Sequence, residues 1–411
     1  MQAFKYKLYK TKRTKHIDDM LREAAFTWNK ALAMQKRYYS LYGKYINRCH
    51  LQKWFDKRYK RHYLGSQVRQ EIIERLDTAY NRFFKKLAQR PPKFKKTAEF
   101  VSIVYKQAGY KLYGNELILN RKFRFKFSKS REYEGNIKRV IVKRSRVNEY
   151  YVVIVTDANP KTYRKTHNGA SVGIDFGLKM YLTISDGREY SNPLFLKQHL
   201  SEIRKKSRNL SKCKNDSNNR KKKRIELAKL HEHLHNKRED YQFKLAHELC
   251  RKYDYIFIEN LCLTGMTKMW GRKMNDLAHA AFINKLEYVA SKYGVVVHKI
   301  DRWYASSKTC ECGYVNKSLQ LIDREWVCPE CGSINHRDLN AAKNILRKGI
   351  SELDSMSKTS SEASALYPRI PLALAVGVCQ SQSDFKSLMI NMVANGITER
   401  VEANDQQRRN I

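Results

Sequence analysis

The stretch Ser171-Val172-Gly173-Ile174-Asp175-Phe176-Gly177, followed by Met180-Tyr181-Leu182-Thr183-Ile184 and the turn Ser185-Asp186-Gly187-Arg188, decides how the chain is read. An apolar run too short for a helix, closed by an acid and followed by a second apolar run and an Asp-Gly turn, predicts a β-hairpin whose first strand ends in Asp175. Downstream, residues 196–251 are basic with helical spacing and are interrupted by the polar segment 214–219, so they predict a helical hairpin. Next come a buried-strand run, Tyr255-Ile256-Phe257-Ile258-Glu259, a helix around 278–293, a strand at 295–300 and a helix over 338–346. Strands alternating with helices predict an α/β domain.

Three acids share a placement in this region. Asp175 and Glu259 each end an apolar strand, and Asp338 opens the last helix. Strand ends of an α/β sheet are where side chains from distant sequence converge. Carboxylates brought together repel, and divalent cations relieve that repulsion; two Mg2+ ions so held can activate water and stabilise the leaving oxygen of a phosphodiester. Taken singly, each acid also reads as a cap or a solvated strand end, Asp338 as the N-cap of its own helix.

Four of the nine cysteines fall within 22 residues, at 310, 312, 328 and 331, while Cys49, Cys213, Cys250, Cys262 and Cys379 are scattered. A disulfide framework is not spaced this way; one metal site in a reducing compartment is. Cys328-Pro329-Glu330-Cys331-Gly332 has the spacing of a zinc knuckle, and Cys310-Glu311-Cys312-Gly313 is its expected partner. The second pair is one residue short of CxxC, a spacing harder to place on one tetrahedron, and His336 stands near enough in sequence to substitute.

Upstream, Phe4, Tyr6 and Leu8 alternate with basic residues and predict a strand. From Ile17 to about Leu87 the spacing is helical, with one stripe through Met20, Leu21, Ala24, Trp28 and Leu32 and another through Ile72, Ile73, Leu76, Tyr80 and Phe83. Arg90-Pro91-Pro92 breaks the helices. Short alternating runs at 116–119, 123–127, 137–142 and 150–156 then predict an antiparallel β unit, which the first strand can join. Asn159-Pro160 closes this half.

The chain has 411 residues with 82 Lys and Arg against 40 Asp and Glu, a net charge of +42. Residues 351–411 hold six basic residues and seven acids, so residues 1–350 carry +43. Such an excess calls for a polyanion, and its spread through the body, interleaved with 26 tyrosines, favours nucleic acid over a membrane surface. Clusters such as 36–39, 54–61, 93–96 and 221–224 supply phosphate contacts and stacking rings only in sum; any one reads as a solvated face. The longest apolar stretch, Pro371 to Cys379, is far short of the roughly 20 residues a membrane span needs, and no secretory signal opens the chain. A soluble cytoplasmic protein with no membrane partner is expected.

At these residues the sequence resembles the TnpB family of transposon-encoded, RNA-guided DNA endonucleases, relatives of the type V CRISPR effectors. The resemblance lies in Val172-Gly173-Ile174-Asp175-Phe176-Gly177, Ile258-Glu259-Asn260-Leu261, Ser306-Ser307-Lys308-Thr309-Cys310, the 328–332 knuckle, and Arg337-Asp338-Leu339-Asn340-Ala341-Ala342-Lys343-Asn344-Ile345. It extends upstream to Trp28-Asn29-Lys30-Ala31-Leu32, residues 75–84 and Pro92-Lys93-Phe94, about 350 residues in family order. It implies an RNase H-like, RuvC-type nuclease over 166–302 and 337–350, with Asp175, Glu259 and Asp338 as catalytic Mg2+ ligands. A zinc ribbon at 303–336 would hold one Zn2+ on Cys310, Cys312, Cys328 and Cys331. A wedge-like β domain over 1–10 and 95–165 would carry a helical recognition insertion at 11–94. Guide RNA and double-stranded target DNA are the implied partners. The region 351–411, Ser-rich at first and without steady periodicity, is expected to be weakly ordered and dispensable beyond Lys348 or Gly349. A guide-bound repressor that does not cut and a strand-transfer transposase are the alternatives; three intact acids weigh against the first and the helical recognition unit against the second.

Overall fold

The computed structural model describes residues 1–59, 63–159, 162–163, 169–261, 271, 276–320 and 323–359, with side chains in the last helix to residue 355. The tail beyond 359, for which weak order is the expectation, and Cys262, Cys379, Pro160, Lys60 and Arg61 lie outside the described residues. Contacts divide the chain into two compact units, residues 1–162 with 195–239 and residues 163–194 with 240 onward. The stretch 195–239, which the sequence reading put inside 166–302, thus groups with the first unit.

In the first unit, β1 (Gln2–Leu8) alternates buried and exposed positions and leads to three helices, α1 (Lys15–Tyr42), α2 (Arg48–Arg58) and α3 (Ser66–Phe84). Strands β2 (Ser102–Tyr105), β3 (Tyr110–Tyr113), β4 (Glu116–Leu119), β5 (Phe123–Ser128), β6 (Ile137–Arg144) and β7 (Tyr150–Thr156) follow. They form one antiparallel sheet in the order β2-β6-β7-β1-β5-β4-β3, so the first strand returns across the helices to pair with β7 and β5, Phe4 opposite Ile154 and Leu8 opposite Phe127. The expected β unit and helical insertion share one core: Met20, Leu21 and Trp28 of α1 and Ile72 and Leu76 of α3 pack with Tyr6, Tyr105, Phe127, Val140 and Val152 of the sheet. The helix α1 is tied to the proline segment by Trp28 Nε1, which donates to the Lys93 carbonyl (3.0 Å), and by Asn29, whose amide donates to Lys95 O and accepts from Lys95 N, both at 2.8 Å. The short α4 (Phe195–Gln198) and α5 (Leu200–Ser211) precede α6 (Asn218–Lys252), within which the two units divide.

In the second unit, β8 (Ser171–Asp175), β9 (Met180–Ile184), β10 (Glu189–Ser191), β11 (Tyr255–Glu259) and β12 (Val296–Ile300) make a sheet in the order β10-β9-β8-β11-β12. β8, β11 and β12 are mutually parallel, and β8 and β9 form the expected antiparallel hairpin. Parallel strands covered on both faces are apolar throughout, and alternation assigns the faces. Val172, Ile174, Ile256 and Ile258 pack with Leu245 and Leu249 of α6 and Phe282, Leu286 and Val289 of α7 (His279–Tyr293). Phe257 and Ile300 face the other way, onto Ile345 and Leu346 of α8 (Arg337–Thr359).

Two glycines let α8 lie on the sheet. A Cβ at Gly173 would fall on the Ala342 carbonyl and the Leu346 amide, and one at Gly349 would fall on the Phe257 ring. At Gly173 the obstacle is backbone, which cannot swing aside. Gly173→Ala should therefore lower unfolding stability by about 3 kcal/mol, the upper part of the range for overpacking, read as a shift of the urea midpoint. An unchanged midpoint would mean that α8 is not seated there.

The last helix corrects the expectation that order ends near residue 350. The helix read over 338–346 in fact passes through Gly349 and continues to Thr359. Ile350 and Leu353 pack on the Phe257 cluster, and Glu352 Oε2 lies 2.8 Å from His298 Nε2 on β12. Truncation after Lys348 would remove these contacts, so it should lower the stability of this unit.

Candidate functional site

Strand register alone sets Asp175 beside Glu259. Ile258 pairs with Ile174 in the parallel β8–β11 ladder, so the next residue on each strand is an acid at the same sheet edge. Alternation decides the face: Gly173 and Asp175, like Phe257 and Glu259, point away from Ile174 and Ile258 and toward α8. α8 passes over Gly173 at Ala342, and one helical turn back, about 6 Å, is Asp338. The three carboxylates predicted from sequence are thereby brought onto one face of one sheet end.

The electrostatics agree. Burial first, then the charges of Glu259 and Asp338, together push the Asp175 carboxyl up to about 8. Burial also raises Glu259, although Ser306, whose Oγ donates to Glu259 Oε1, pulls the other way. Carboxyl groups crowded together with too little countercharge are the donor set that a hard divalent cation completes. A carboxyl raised in the folded protein favours the protonated form, so the stability it lends is present below its ordinary range, near 4, and is lost as pH rises through about 8. With chelator present, the melting temperature should fall between pH 5 and pH 8, and Asp175→Asn should remove much of that fall. Mg2+ added at pH 8 should restore the wild type and not the variant. A variant that melts in parallel with the wild type at every pH would contradict the crowding.

The cysteines converge as well. The four sulfur atoms all lie within 4.8 Å of one another. Cys310 Sγ is 3.6 Å from Cys331 Sγ, and Cys312 Sγ is 3.6 Å from Cys328 Sγ. Thiolates on one tetrahedral zinc at about 2.3 Å stand roughly 3.8 Å apart, so the donor set fits that ion. Each pair sits in a tight turn: Cys310 N donates to Tyr314 O (2.7 Å) and Cys328 N to Ser333 O (2.9 Å), with left-handed Gly313 (φ +95°) and Gly332 (φ +70°) closing them. The turn at Gly313 lets the short C-x-C present both sulfurs to the same point. His336 ends the short strand Ile334–His336 and is not part of the cluster. Burial alone raises the Cys310 thiol, but hydrogen bonds from Ser333, the Cys312 backbone and Asn335 outweigh it and bring it down to about 6.

Several residues bind this module to the acids, and sequence reasoning quoted most of them without a role. Asn340 and Asn344, one turn apart on α8, both donate to the Thr309 carbonyl (2.7 and 2.6 Å), and Asn344 also donates to Ser306 O (2.8 Å). They pin the segment that leads into Cys310, and Ser306 in turn holds Glu259. Arg324 was missed outright. It precedes β13 (Glu325–Val327), which pairs with β14 (Ile334–His336), so it lies across from Arg337 and its Nη1 reaches both oxygens of Asp338 at 3.2 Å. Only a pairing across a hairpin reveals that contact; nothing local in the sequence does.

Comparisons with known proteins fall on the same residues. A family model described as "Probable transposase" matches residues 150–269, and one described as "Cas12f1-like, TNB domain" matches 279–345. A Streptomyces pristinaespiralis protein named "Putative RNA-guided DNA endonuclease" is 30% identical over 287 residues, 68% of this chain and 71% of that protein. The Escherichia coli K12 protein "Putative RNA-guided DNA endonuclease InsQ" is 27% identical over 350 residues, 79% and 86% of the two chains. A TnpB-like protein of Acanthamoeba polyphaga mimivirus is 31% identical over 217 residues, 49% of this chain and 41% of the relative. Among solved structures, the Cas12f1–sgRNA–target DNA complex superposes with a TM-score of 0.57 at 17% identity, covering 82% of this chain and 83% of the other, a likeness of fold. Among the described residues, no helix is long and apolar enough to cross a membrane.

Proposed function

The chain belongs to the TnpB family, and from that premise we propose that it is an RNA-guided endonuclease that cuts double-stranded DNA beside a short flanking motif in the cytoplasm. The observation that carries this reading is the convergence of Asp175, Glu259 and Asp338 on one sheet end of a chain whose first 350 residues carry +43.

In this reading residues 166–302 and 337–350 form the RuvC-type nuclease domain, whose strand order β10-β9-β8-β11-β12 is that of an RNase H-like sheet. The three acids are the ligands of two Mg2+ ions. Ions bound there would activate a water and stabilise the leaving oxygen of the scissile phosphodiester. Asp175 and Glu259 are held by paired strands, and Ser306 fixes the orientation of the Glu259 carboxylate. Arg324 supplies a positive charge at Asp338, where phosphate also has to approach. Residues 303–336 are a zinc ribbon that holds one structural Zn2+ on Cys310, Cys312, Cys328 and Cys331 and meets target nucleic acid. Residues 1–10 and 95–165 are the wedge-like domain and 11–94 the recognition insertion; with the basic face of Arg204, Lys205 and Arg208 on α5 and Lys212 just after it they offer phosphate contacts to guide RNA and target. Base pairing supplies sequence specificity, and the protein reads the flanking motif.

The test is to purify the protein, sequence the RNA that comes with it, and assay cleavage in Mg2+ with matched and scrambled guides. A specific structured RNA should co-purify, and duplex should be cut only when the guide segment matches. Binding should weaken steeply with salt. Equal cutting by RNase-treated protein, or with the scrambled guide, would overturn RNA guidance. Joined transposon-end products would favour a strand-transfer transposase, and tight guided binding without cutting would favour a repressor.

A further inference from the structure

The loop after β12 leaves the sheet at the acid end, because Ile300 is the partner of Glu259 in the β11–β12 ladder. It is then fastened back to the same strand twice. Arg302 Nε donates to the Asn260 carbonyl at 3.1 Å, and Ser306 Oγ donates to Glu259. Tyr304 turns inward onto Phe257, Ile300 and Ile345, and Asn344 holds the Ser306 carbonyl. Between these anchors the Trp303 amide donates to Asp301 Oδ1 (3.3 Å), and its side chain is 84% exposed, the most exposed large hydrophobic residue among those described.

A chain that buries Trp28 and Trp326 leaves this indole in water, on a loop pinned at both ends, three residues from the strand position facing Glu259. No other ring stacks on it among the described residues. The residues before it, Asp301 and Arg302, are exposed and charged, so they do not extend the ring into the contiguous apolar patch that a protein partner needs. A flat, exposed ring on a pinned loop suits a nucleobase, which presents a π-face whatever its identity. We propose that Trp303 is a stacking platform for one base of the scissile DNA strand, a positioning residue that holds the strand in single-stranded form against the carboxylates. The proposal rests on the nuclease reading above.

Because the indole is exposed, Trp303→Ala should fold with an unchanged melting temperature. With the guide-loaded protein, its single-turnover cleavage rate should fall roughly 10- to 100-fold, the range of one base–ring stack, while Trp303→Phe should stay within about threefold of wild type. A set of targets carrying one abasic site each, walked through the cut region, should contain a position that slows the wild type by the same factor and slows Trp303→Ala no further, since both changes remove one contact. Independently, a single-stranded oligonucleotide added to an Asp175→Ala background should quench tryptophan fluorescence, and the Trp303→Phe change should remove that quench. If the wild type cuts and Trp303→Ala cuts as fast, or no abasic position is coupled to it, the platform is wrong and the nuclease reading stands. If the wild type does not cut, the nuclease reading fails, and the quench decides whether Trp303 binds bases at all.

Discussion

Alanine at Asp175, Glu259 or Asp338 should each abolish cleavage, lowering the rate on the order of 10³-fold or more, because a metal pair that has lost one carboxylate no longer sets both the attacking and the leaving oxygen. Binding of guide RNA and matched target should stay within a few-fold of wild type. Phosphate contacts carry most of that affinity, and the exposed cations at Lys36, Arg37, Lys93, Lys221, Lys222 and Arg224 are untouched. Gel-shift and cleavage assays on the same guide-loaded preparations separate the two effects. The Asp338 variant is the most telling, since its removal also releases Arg324; Mg2+-dependent cutting by Asp338→Ala at the normal rate would remove that residue from the site.

Cys328→Ser is expected to have the next largest effect. Among the described residues, the module around it has a core of Cys310, Leu319, Trp326 and Cys328 with Tyr314 packed against it, too small to hold a fold without a metal. Metal analysis should give one zinc per wild-type chain and close to none in the variant, with early loss of structure in this region. The damage should reach the acids, because Asn340 and Asn344 anchor the segment through Ser306 that orients Glu259. Cleavage should therefore fall at least tenfold. Fully active, zinc-free wild-type protein would show that the four sulfurs hold together without an ion.

What was legible in the sequence followed from local periodicity. β8 and β11 stood out because strands covered on both faces are apolar at every position, and an acid ending such a run is conspicuous. The short strands β2, β3 and β10 were missed, although the equally short β4 was read. The last helix was read too short, over 338–346, whereas it runs on through Gly349, where the neighbouring Phe257 ring leaves no room for a side chain. The acids could be named one by one, but their meeting depends on the strand register and on where α8 crosses Gly173, neither of which is local. The partners of Asn340, Asn344 and Arg324 lie across loops or a hairpin, so these residues were visible only as letters in a pattern.

The placement of Asp338 at the head of α8 also orders events in time. It is synthesised 163 residues after Asp175, and α8 is seated only when Gly349 and Glu352 have followed. At about 5–20 residues per second, roughly 10–30 s pass on the ribosome between the first carboxylate and the last. Throughout that interval the nascent chain carries its cationic N-terminal region without a complete set of acids. On the nuclease reading, a prematurely released chain should bind nucleic acid without cutting it, so truncated copies should compete with the full-length protein instead of acting as unguided nucleases.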